Sequence, residues 1–328
     1  MVSSSRRDRR VLAGGIAAIV VAVVVAVAAA LWTTAGPVDR APVASPTASA
    51  LPSVAVSGAA SAPASRRTAE VVTPSPAAPL EPLPEPTSAP GAPASVPAPP
   101  AGGRSLAGRV IVIDPGHQLG NSRFPAQVNA SVDAGGFTKA CNTTGTATDG
   151  GYPEATFAWE VAVLMREELE AAGATVVLTR SSNSASAWGP CIDERGRIGN
   201  PGWSGPTADL EISLHGDGNL SAGARGFHVI APESRAGWTD DIAAPSLVLA
   251  RAVRDGLLGV GVPVSTYLGV DGLDVRGDLG TLNWSDKPTV MVELGNMRDP
   301  GDAALMTSAA GRRTYAVGVV AGVTRFLG

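Results

Sequence analysis

Apolar and polar residues alternate with two different periods along residues 104–328. Short continuous apolar runs typical of buried strands occupy residues 109–113, 174–180, 208–215, 226–231 and 288–294. Apolar residues at helical spacing predict helices over residues 154–173, 191–200, 246–258 and 311–328. Strands that alternate with helices predict an α/β fold: a single domain with a twisted, mainly parallel central sheet flanked by helices on both faces.

The first hundred residues show neither pattern. Residues 11–32 form an apolar run without a charge, long enough for a membrane-spanning helix, and four arginines precede it. We expect residues 1–10 to stay in the cytoplasm and residues 11–32 to be a transmembrane anchor or, alternatively, a cleaved signal peptide. Residues 33–103, rich in Pro, Ala and Ser, favour a disordered linker. The folded domain is thus expected outside the cytoplasm, tethered to the cell membrane or secreted.

Charge and cysteine content limit the partners of this domain. The chain carries a net charge of −4 and no basic run in residues 104–328, which argues against nucleic acid as a partner. We expect the domain to be monomeric. Cys141 and Cys191 are the only cysteines, and an even number in an exported domain favours a disulfide bond between them. Zinc ligation or a pair of free thiols are the alternatives.

Four ionisable side chains lie where predicted elements begin or end. His117 follows the first strand, His215 ends the third, Glu293 ends the fifth, and Glu154 opens the first long helix. Ligand sites in parallel α/β folds lie beyond the carboxyl ends of the strands, so these residues are expected to converge. Two imidazoles and one carboxylate can hold a catalytic zinc ion with one position open to water, whose proton a further glutamate could accept. Taken singly, each histidine could be structural, and Glu154 could serve the helix dipole.

Six sequence blocks resemble, in order, those of the zinc-dependent N-acetylmuramoyl-L-alanine amidases, the type 3 amidase family. The blocks are VIVIDPGHQ, LTRSSNS, DERGRIGN, ADLEISLHGDG, RGFHVI and KPTVMVELGNMRD, and the resemblance spans roughly residues 109–328. These enzymes remodel the cell wall by cleaving peptidoglycan between N-acetylmuramic acid and the first L-alanine of the stem peptide. The resemblance implies that residues 104–328 are a catalytic domain acting on peptidoglycan. It further implies Zn²⁺ ligands at His117, Glu154 and His215, with Glu293 as the catalytic acid/base.

Two other functions are compatible with these residues. The first is a related zinc peptidase or deacylase that acts on another amide. The second is a wall-binding regulatory module without turnover, although such a module has no need of Glu293.

The sequence departs from the family pattern at two places. Residues 118–153 form a long, glycine-rich insertion between the first histidine and the helix. It leaves Glu160, further along the helix, as an alternative ligand to Glu154. We expect this insertion to form part of the cleft wall and to restrict which glycan strands enter, or to be a surface loop without a function. The family block often reads Glu-x-Gly-Phe, and here Asn296 replaces the phenylalanine, a change that could alter substrate packing.

Other polar and aromatic residues have less specific predictions. His228 could be a third nitrogen ligand or a substrate contact, although a structural histidine in a strand is the favoured interpretation. Asp114 could shape its turn or hydrogen-bond a ligand histidine. Glu211 and Ser213 share a face of the strand with His215 and could support it. Four tryptophans in predicted loops could stack on substrate, but packing at the domain edge is favoured: Trp188, Trp203, Trp238 and Trp284.

Overall fold

Eight strands and seven α-helices make up the described part of the chain, residues 105–328 of the computed structural model. The strands are β1 (Val110–Pro115), β2 (Ser131–Asp133), β3 (Thr138–Ala140), β4 (Thr175–Leu178), β5 (Leu210–Asp217), β6 (His228–Pro232), β7 (Leu273–Arg276) and β8 (Thr289–Asn296). The helices are α1 (Pro125–Val128), α2 (Glu154–Ala171), α3 (Ile192–Arg197), α4 (Ala243–Gly259), α5 (Gly280–Asn283), α6 (Pro300–Thr307) and α7 (Ala309–Leu327).

The predictions for residues 1–103 lie outside the described residues. Within residues 105–328, no helix combines the length and the apolar character needed to cross a membrane.

Six strands form the central sheet in the order β4–β1–β5–β8–β6–β7, while β2 and β3 form a separate hairpin. Strands β4, β1, β5 and β8 are parallel, which confirms the mainly parallel sheet. Strand β6 runs antiparallel to β8, and β7 is parallel to β6. The reversal has a local cause: residues 218–227 join β5 to β6 without a crossover helix, and a parallel return needs a longer connection.

The two faces of the sheet differ in what covers them. On one face, the apolar side chains of β1, β5 and β8 pack against the three long helices α2, α4 and α7 in one large hydrophobic core. Helices α4 and α7 approach closely because both carry glycines at the contact; a Cβ on Gly256 would lie 2.2 Å from the Gly318 carbonyl oxygen. The opposite face bears two small apolar clusters and the short helix α5. Helices therefore lie on both faces of the sheet, as predicted, but the long helices cover one face and only a short helix lies on the other.

The polar residues of the predicted site lie at the ends of the strands. The carboxyl ends of β1, β5 and β8 share one edge of the sheet, and the antiparallel β6 begins at that same edge. His215 in β5 is the register partner of Glu293 in β8, and Glu293 is the register partner of His228 in β6. Direct register partners point to the same face, so these three side chains form one row.

Candidate active site

His117 lies just beyond β1 in a tight turn. Its backbone has φ +56°, a left-handed conformation that few non-glycine residues adopt. A Cβ on the preceding Gly116 would lie 2.4 Å from the His215 ring, so glycine at this position lets the two imidazoles approach, with ring centroids 4.8 Å apart. Nδ1 of His117 lies 3.1 Å from the Thr143 carbonyl oxygen, which fixes the orientation of the ring.

Glu154 joins the two histidines at the start of α2. Its Oε1 lies 3.0 Å from Nε2 of His117 and 2.9 Å from Nδ1 of His215. Its Oε2 accepts a hydrogen bond of 2.8 Å from the backbone N–H of Thr146. The ligand-type atoms of the three residues all lie within 4.8 Å of one another. The structure therefore brings the three predicted ligands together in a group that could hold one metal ion.

The alternative ligands have other surroundings. Glu160 accepts a hydrogen bond of 2.9 Å from the Tyr152 hydroxyl and pairs with Arg312 at 2.7 Å. His228 lies in β6, and within residues 105–328 it is not part of the His–Glu–His group. The group that could hold a metal ion therefore includes Glu154, and neither Glu160 nor His228 belongs to it among residues 105–328.

Electrostatic interactions couple the members of the group. Burial is the largest influence on the pKa of Glu154 and raises it, but the charge of His117 and the hydrogen bonds from His117 and His215 outweigh it. The pKa of Glu154 therefore lies well below its usual range. For His117 burial has the opposite effect and lowers the pKa. The charge of Glu154 outweighs burial, so the pKa of His117 is raised. Glu154 is consequently a carboxylate at neutral pH, which is the form that binds metal ions.

Glu293 completes the site from the neighbouring strand. Burial raises its pKa well above the usual value, and the negative charges of Glu154 and Asp217 raise it further. Its Oε2 is buried and has no hydrogen-bond partner among residues 105–328. A carboxyl group with a raised pKa in a cleft is suited to proton transfer near neutral pH.

A cavity of about 550 Å³ opens over His117, Glu154, His215 and Glu293. The insertion lines one wall of this cavity with Lys139, Ala140 and residues 142–146. Nζ of Lys139 also donates to the carbonyl oxygen of Asp278 at 2.7 Å, which ties the β2–β3 hairpin to the segment after β7. The insertion therefore lies at the cleft, as one of the two interpretations of the sequence predicted.

Asp114 supports the site indirectly. Its Oδ1 accepts hydrogen bonds of 2.5 Å from Thr179 and from Arg195, and its Oδ2 accepts one of 2.6 Å from Ser213. Arg195 in turn donates to the carbonyl oxygen of His117 at 2.6 Å. Of the two interpretations of Asp114, these contacts favour the one in which it shapes the turn, because Asp114 binds Arg195 and Arg195 binds the backbone of His117.

Glu211 and Ser213 share the face of β5 with His215, as predicted, but they do not support it. Glu211 forms a buried ion pair of 2.7 Å with Lys287, and Ser213 is held by Asp114. Burial, the largest influence, raises the pKa of Glu211 to about 7. The possible support of His215 is not what these contacts show, since Glu211 is engaged with Lys287 and Ser213 with Asp114.

Comparison with known proteins assigns the chain to a family. The sequence model of the family described as N-acetylmuramoyl-L-alanine amidase matches residues 111–325. The chain is 44% identical over 226 residues to an N-acetylmuramoyl-L-alanine amidase of Mycobacterium tuberculosis, an alignment that covers 68% of this chain and 88% of the relative. This chain belongs to the N-acetylmuramoyl-L-alanine amidase family.

Solved structures of the amidase family agree with this assignment. The N-acetylmuramyl-L-alanine amidase of Mycobacterium smegmatis aligns with a TM-score of 0.62 and 38% identity, over 68% of this chain and 98% of that chain. The apo form of the corresponding amidase of Mycobacterium abscessus aligns with the same TM-score of 0.62 and 42% identity, over 68% and 100%. The resemblance carried by the six sequence blocks is therefore confirmed.

The departure from the amidase pattern at Asn296 has a structural role. The side chain is buried, and its amide donates to the carbonyl oxygens of Asn219 at 2.9 Å and Ala224 at 2.7 Å. Its Oδ1 accepts a hydrogen bond of 3.0 Å from the backbone N–H of Asn219. Asn296 thus fastens the loop after β5, and it does not line the cavity.

Covalent and aromatic contacts hold the insertion against the amidase domain. The predicted disulfide between Cys141 and Cys191 is present and joins the end of the hairpin to the start of α3. Nε1 of Trp284 donates to the carbonyl oxygen of Asp133 at 2.6 Å, and Trp238 packs edge-on against Trp284. These contacts favour packing at the domain edge over substrate stacking for both tryptophans.

Two residues at the site, Arg195 and Lys139, could not be recognised from the sequence pattern. Arg195 lies in the DERGRIGN block, and that block was the available signal, although nothing in it indicates that the guanidinium is buried beneath His117. Lys139 lies in the insertion, where no sequence pattern marks a cleft-lining residue.

Proposed function

We propose that the chain is a zinc-dependent N-acetylmuramoyl-L-alanine amidase, a zinc metallohydrolase that cleaves the amide bond between N-acetylmuramic acid and L-alanine in peptidoglycan. The observation that carries the proposal is the His117–Glu154–His215 group beside Glu293 in one cleft. Membership of a family whose relatives bear this name supports the substrate.

The three ligand residues fit a zinc ion. Two imidazole nitrogens and one carboxylate oxygen are donors that zinc accepts, and three protein ligands are typical of catalytic rather than structural zinc sites. The one carboxylate, held between two histidines, would offset only part of the charge of a divalent cation, so a bound zinc would keep a net positive charge. When bound, zinc supplies Lewis-acid chemistry: it polarises a carbonyl oxygen and makes water acidic enough to lose a proton near neutral pH.

The residues of the chain supply the proton transfers. Glu293 accepts a proton from the attacking water and delivers it to the alanine nitrogen, which must be protonated because an amine anion is a poor leaving group. The raised pKa of Glu293 suits both steps, since the group can hold the proton and release it within one cycle. Arg195 keeps His117 in place by binding its backbone carbonyl oxygen.

We further propose that the enzyme acts outside the cytoplasm, either anchored by residues 11–32 or secreted after their removal. Peptidoglycan lies outside the cytoplasmic membrane, and the apolar run preceded by arginines supports export. The disulfide between Cys141 and Cys191 is consistent with an oxidising compartment.

Mass spectrometry of muropeptides incubated with the protein tests the proposal. We expect two products, a disaccharide with a free lactyl carboxyl group and a stem peptide with a free alanine amine. A chelator should abolish cleavage, and added Zn²⁺ should restore it. Cleavage within the stem peptide, or loss of an acetyl group, would support the related peptidase or deacylase. Unchanged muropeptides with zinc present would support a binding module.

A further inference from the structure

His228 is a buried histidine whose interactions in the domain are incomplete. Only 1% of its surface is exposed, and its Nδ1 has no hydrogen-bond partner among residues 105–328. Its ring packs edge-on against Tyr267, with centroids 6.1 Å apart. A histidine that serves packing alone normally has its buried nitrogens hydrogen-bonded, so the free Nδ1 requires a different account.

The fold places His228 next to Glu293. The two residues are direct partners in the antiparallel β6–β8 ladder, and direct partners have Cβ atoms about 4.5–5.5 Å apart on the same face. Oε2 of Glu293 is the second buried polar atom at this position without a partner among the described residues. Two unpartnered polar atoms on adjacent positions of one face indicate a shared ligand between them, and water is the smallest group that can satisfy both.

The chemistry of an imidazole suits a partner of an acid/base carboxyl group. Burial, the largest influence, lowers the pKa of His228, so its ring is neutral and offers one N–H donor and one nitrogen acceptor. The carboxyl group of Glu293 and the imidazole of His228 both form hydrogen bonds with water, which donates as well as accepts. One water molecule can therefore bridge Nδ1 of His228 and Oε2 of Glu293.

We propose that His228 is a positioning residue for Glu293: its imidazole binds the Glu293 carboxyl group through one bridging water and holds it in the orientation for proton transfer. This inference rests on the proposed amidase function. His228 itself does not touch the substrate, since it does not line the cavity above the His–Glu–His group. In the row His215–Glu293–His228, His215 is thus the metal ligand, Glu293 is the acid/base, and His228 orients Glu293.

Two substitutions at His228 separate the polar role from packing. His228→Leu keeps a buried side chain of similar size without a polar atom, and His228→Asn places an amide near the position of Nδ1. We expect kcat on soluble muropeptides to fall about 10- to 100-fold in His228→Leu, as expected for the loss of one buried hydrogen bond to an ionised group. KM should stay within about twofold, since no substrate contact is lost. His228→Asn should recover most of the lost kcat.

Controls distinguish this role from a structural one. Ile230→Val, on the same face of β6, should leave kcat unchanged. Zinc content by elemental analysis should match the wild type in both His228 variants. If His228→Leu keeps the wild-type kcat, or loses zinc, the proposal is overturned.

A second background tests whether His228 acts through Glu293. In Glu293→Gln the acid/base function is absent, so adding His228→Leu should not lower the residual turnover further. An equal drop in both backgrounds would show that His228 acts independently and would overturn the proposal. A wild-type protein that cleaves no muropeptide would instead refute the proposed function.

Discussion

At the scale of single residues, charges at the site are held by buried partners. The carboxylate of Asp114 is surrounded by Arg195, Thr179 and Ser213, and the Arg195 side chain is 2% exposed. Glu154 lies between two imidazoles in the same manner. Removing one member of such a pair leaves an uncompensated charge where water cannot solvate it. Substitutions of these buried residues are therefore expected to have large effects.

Replacing Asp114 by alanine should strongly destabilise the domain. It leaves the Arg195 guanidinium buried without its carboxylate, and breaking a buried pair costs about 3–5 kcal/mol. The matched control is Arg325→Ala, which breaks the exposed pair with Asp255 and should cost about 0–1 kcal/mol. Urea unfolding measures both variants. Equal, small effects would contradict the prediction.

The pH dependence of stability gives a second measure of the same interaction. Burial, the largest influence, raises the pKa of Asp114, but Arg195, Ser213 and Thr179 together lower it from 3.8 to about 2. A carboxyl group with a lowered pKa in the folded state stabilises the domain above the unfolded pKa and loses this contribution as the pH falls. The wild type should therefore lose stability between about pH 4 and 2 more steeply than Asp114→Asn.

Metal content should depend on Glu154 and not on Glu160. Glu154→Ala removes the carboxylate between the two imidazoles, whereas Glu160→Ala removes a carboxylate that binds Tyr152 and Arg312. We expect the first variant to lose bound zinc and the second to retain it, as measured by elemental analysis of purified protein. Zinc retained in Glu154→Ala at wild-type occupancy would remove this residue from the metal centre.

Glu293→Gln should keep the fold and the metal but lose turnover. The substitution preserves the shape of the side chain and removes its ability to accept a proton, and positioned acid–base groups contribute typically about 10²–10⁴-fold. Turnover of muropeptides and zinc content should be measured on the same preparation. A variant with nearly normal turnover would refute the acid/base role of Glu293.

At the scale of elements, the insertion is built as a wall of the cleft. The β2–β3 hairpin is fastened at Lys139 to Asp278, at Asp133 to Trp284 and at Cys141 to Cys191. These attachments reach three different segments of the fold. Because the hairpin is fixed at several points beside the cavity, we expect it to limit the size of the glycan strand that can enter the cleft.

Shortening this element should change the response to substrate size. We expect replacement of residues 131–139 by a brief Gly-Ser link, with Cys141 kept, to raise the rate on intact wall relative to the rate on short muropeptides. The reason is that the removed residues include Lys139, which lines the cavity. Rates should be compared on both substrates at equal zinc content. Equal changes on both would leave the insertion as a surface loop without a gating function.

At the scale of the whole molecule, the apolar N-terminal run predicts where the catalytic domain acts. We expect the full chain to fractionate with membranes when residues 11–32 are retained as an anchor, and residues 105–328 alone to remain in the soluble fraction. Immunoblotting of cell fractions measures this, with the mass of the mature protein showing whether cleavage has occurred. A full-length, uncleaved chain found only in the soluble fraction would contradict the anchor.

The sequence by itself determined the main elements and the candidate ligand residues, because both depend on local pattern. Continuous apolar runs marked β1, β4, β5, β6 and β8, and helical spacing marked α2, α3, α4 and α7, each within a few residues of its bounds. His117, Glu154, His215 and Glu293 were identified since each lies at the end or start of such an element. The disulfide was predictable because two cysteines allow one pairing.

Only the tertiary structure decided which distant residues meet. The order of the strands and the reversal of β6 brought His228 beside Glu293, although the chain separates them by more than sixty residues. The same holds for Arg195 beneath His117 and for Lys287 beside Glu211. Buried charged groups pair with whichever partner lies close to them once the sheet has formed. The spacing of residues along the chain does not show which residues will lie close together. The local sequence therefore identified the candidate ligands, and the packing of the sheet decided which residues hold and orient them.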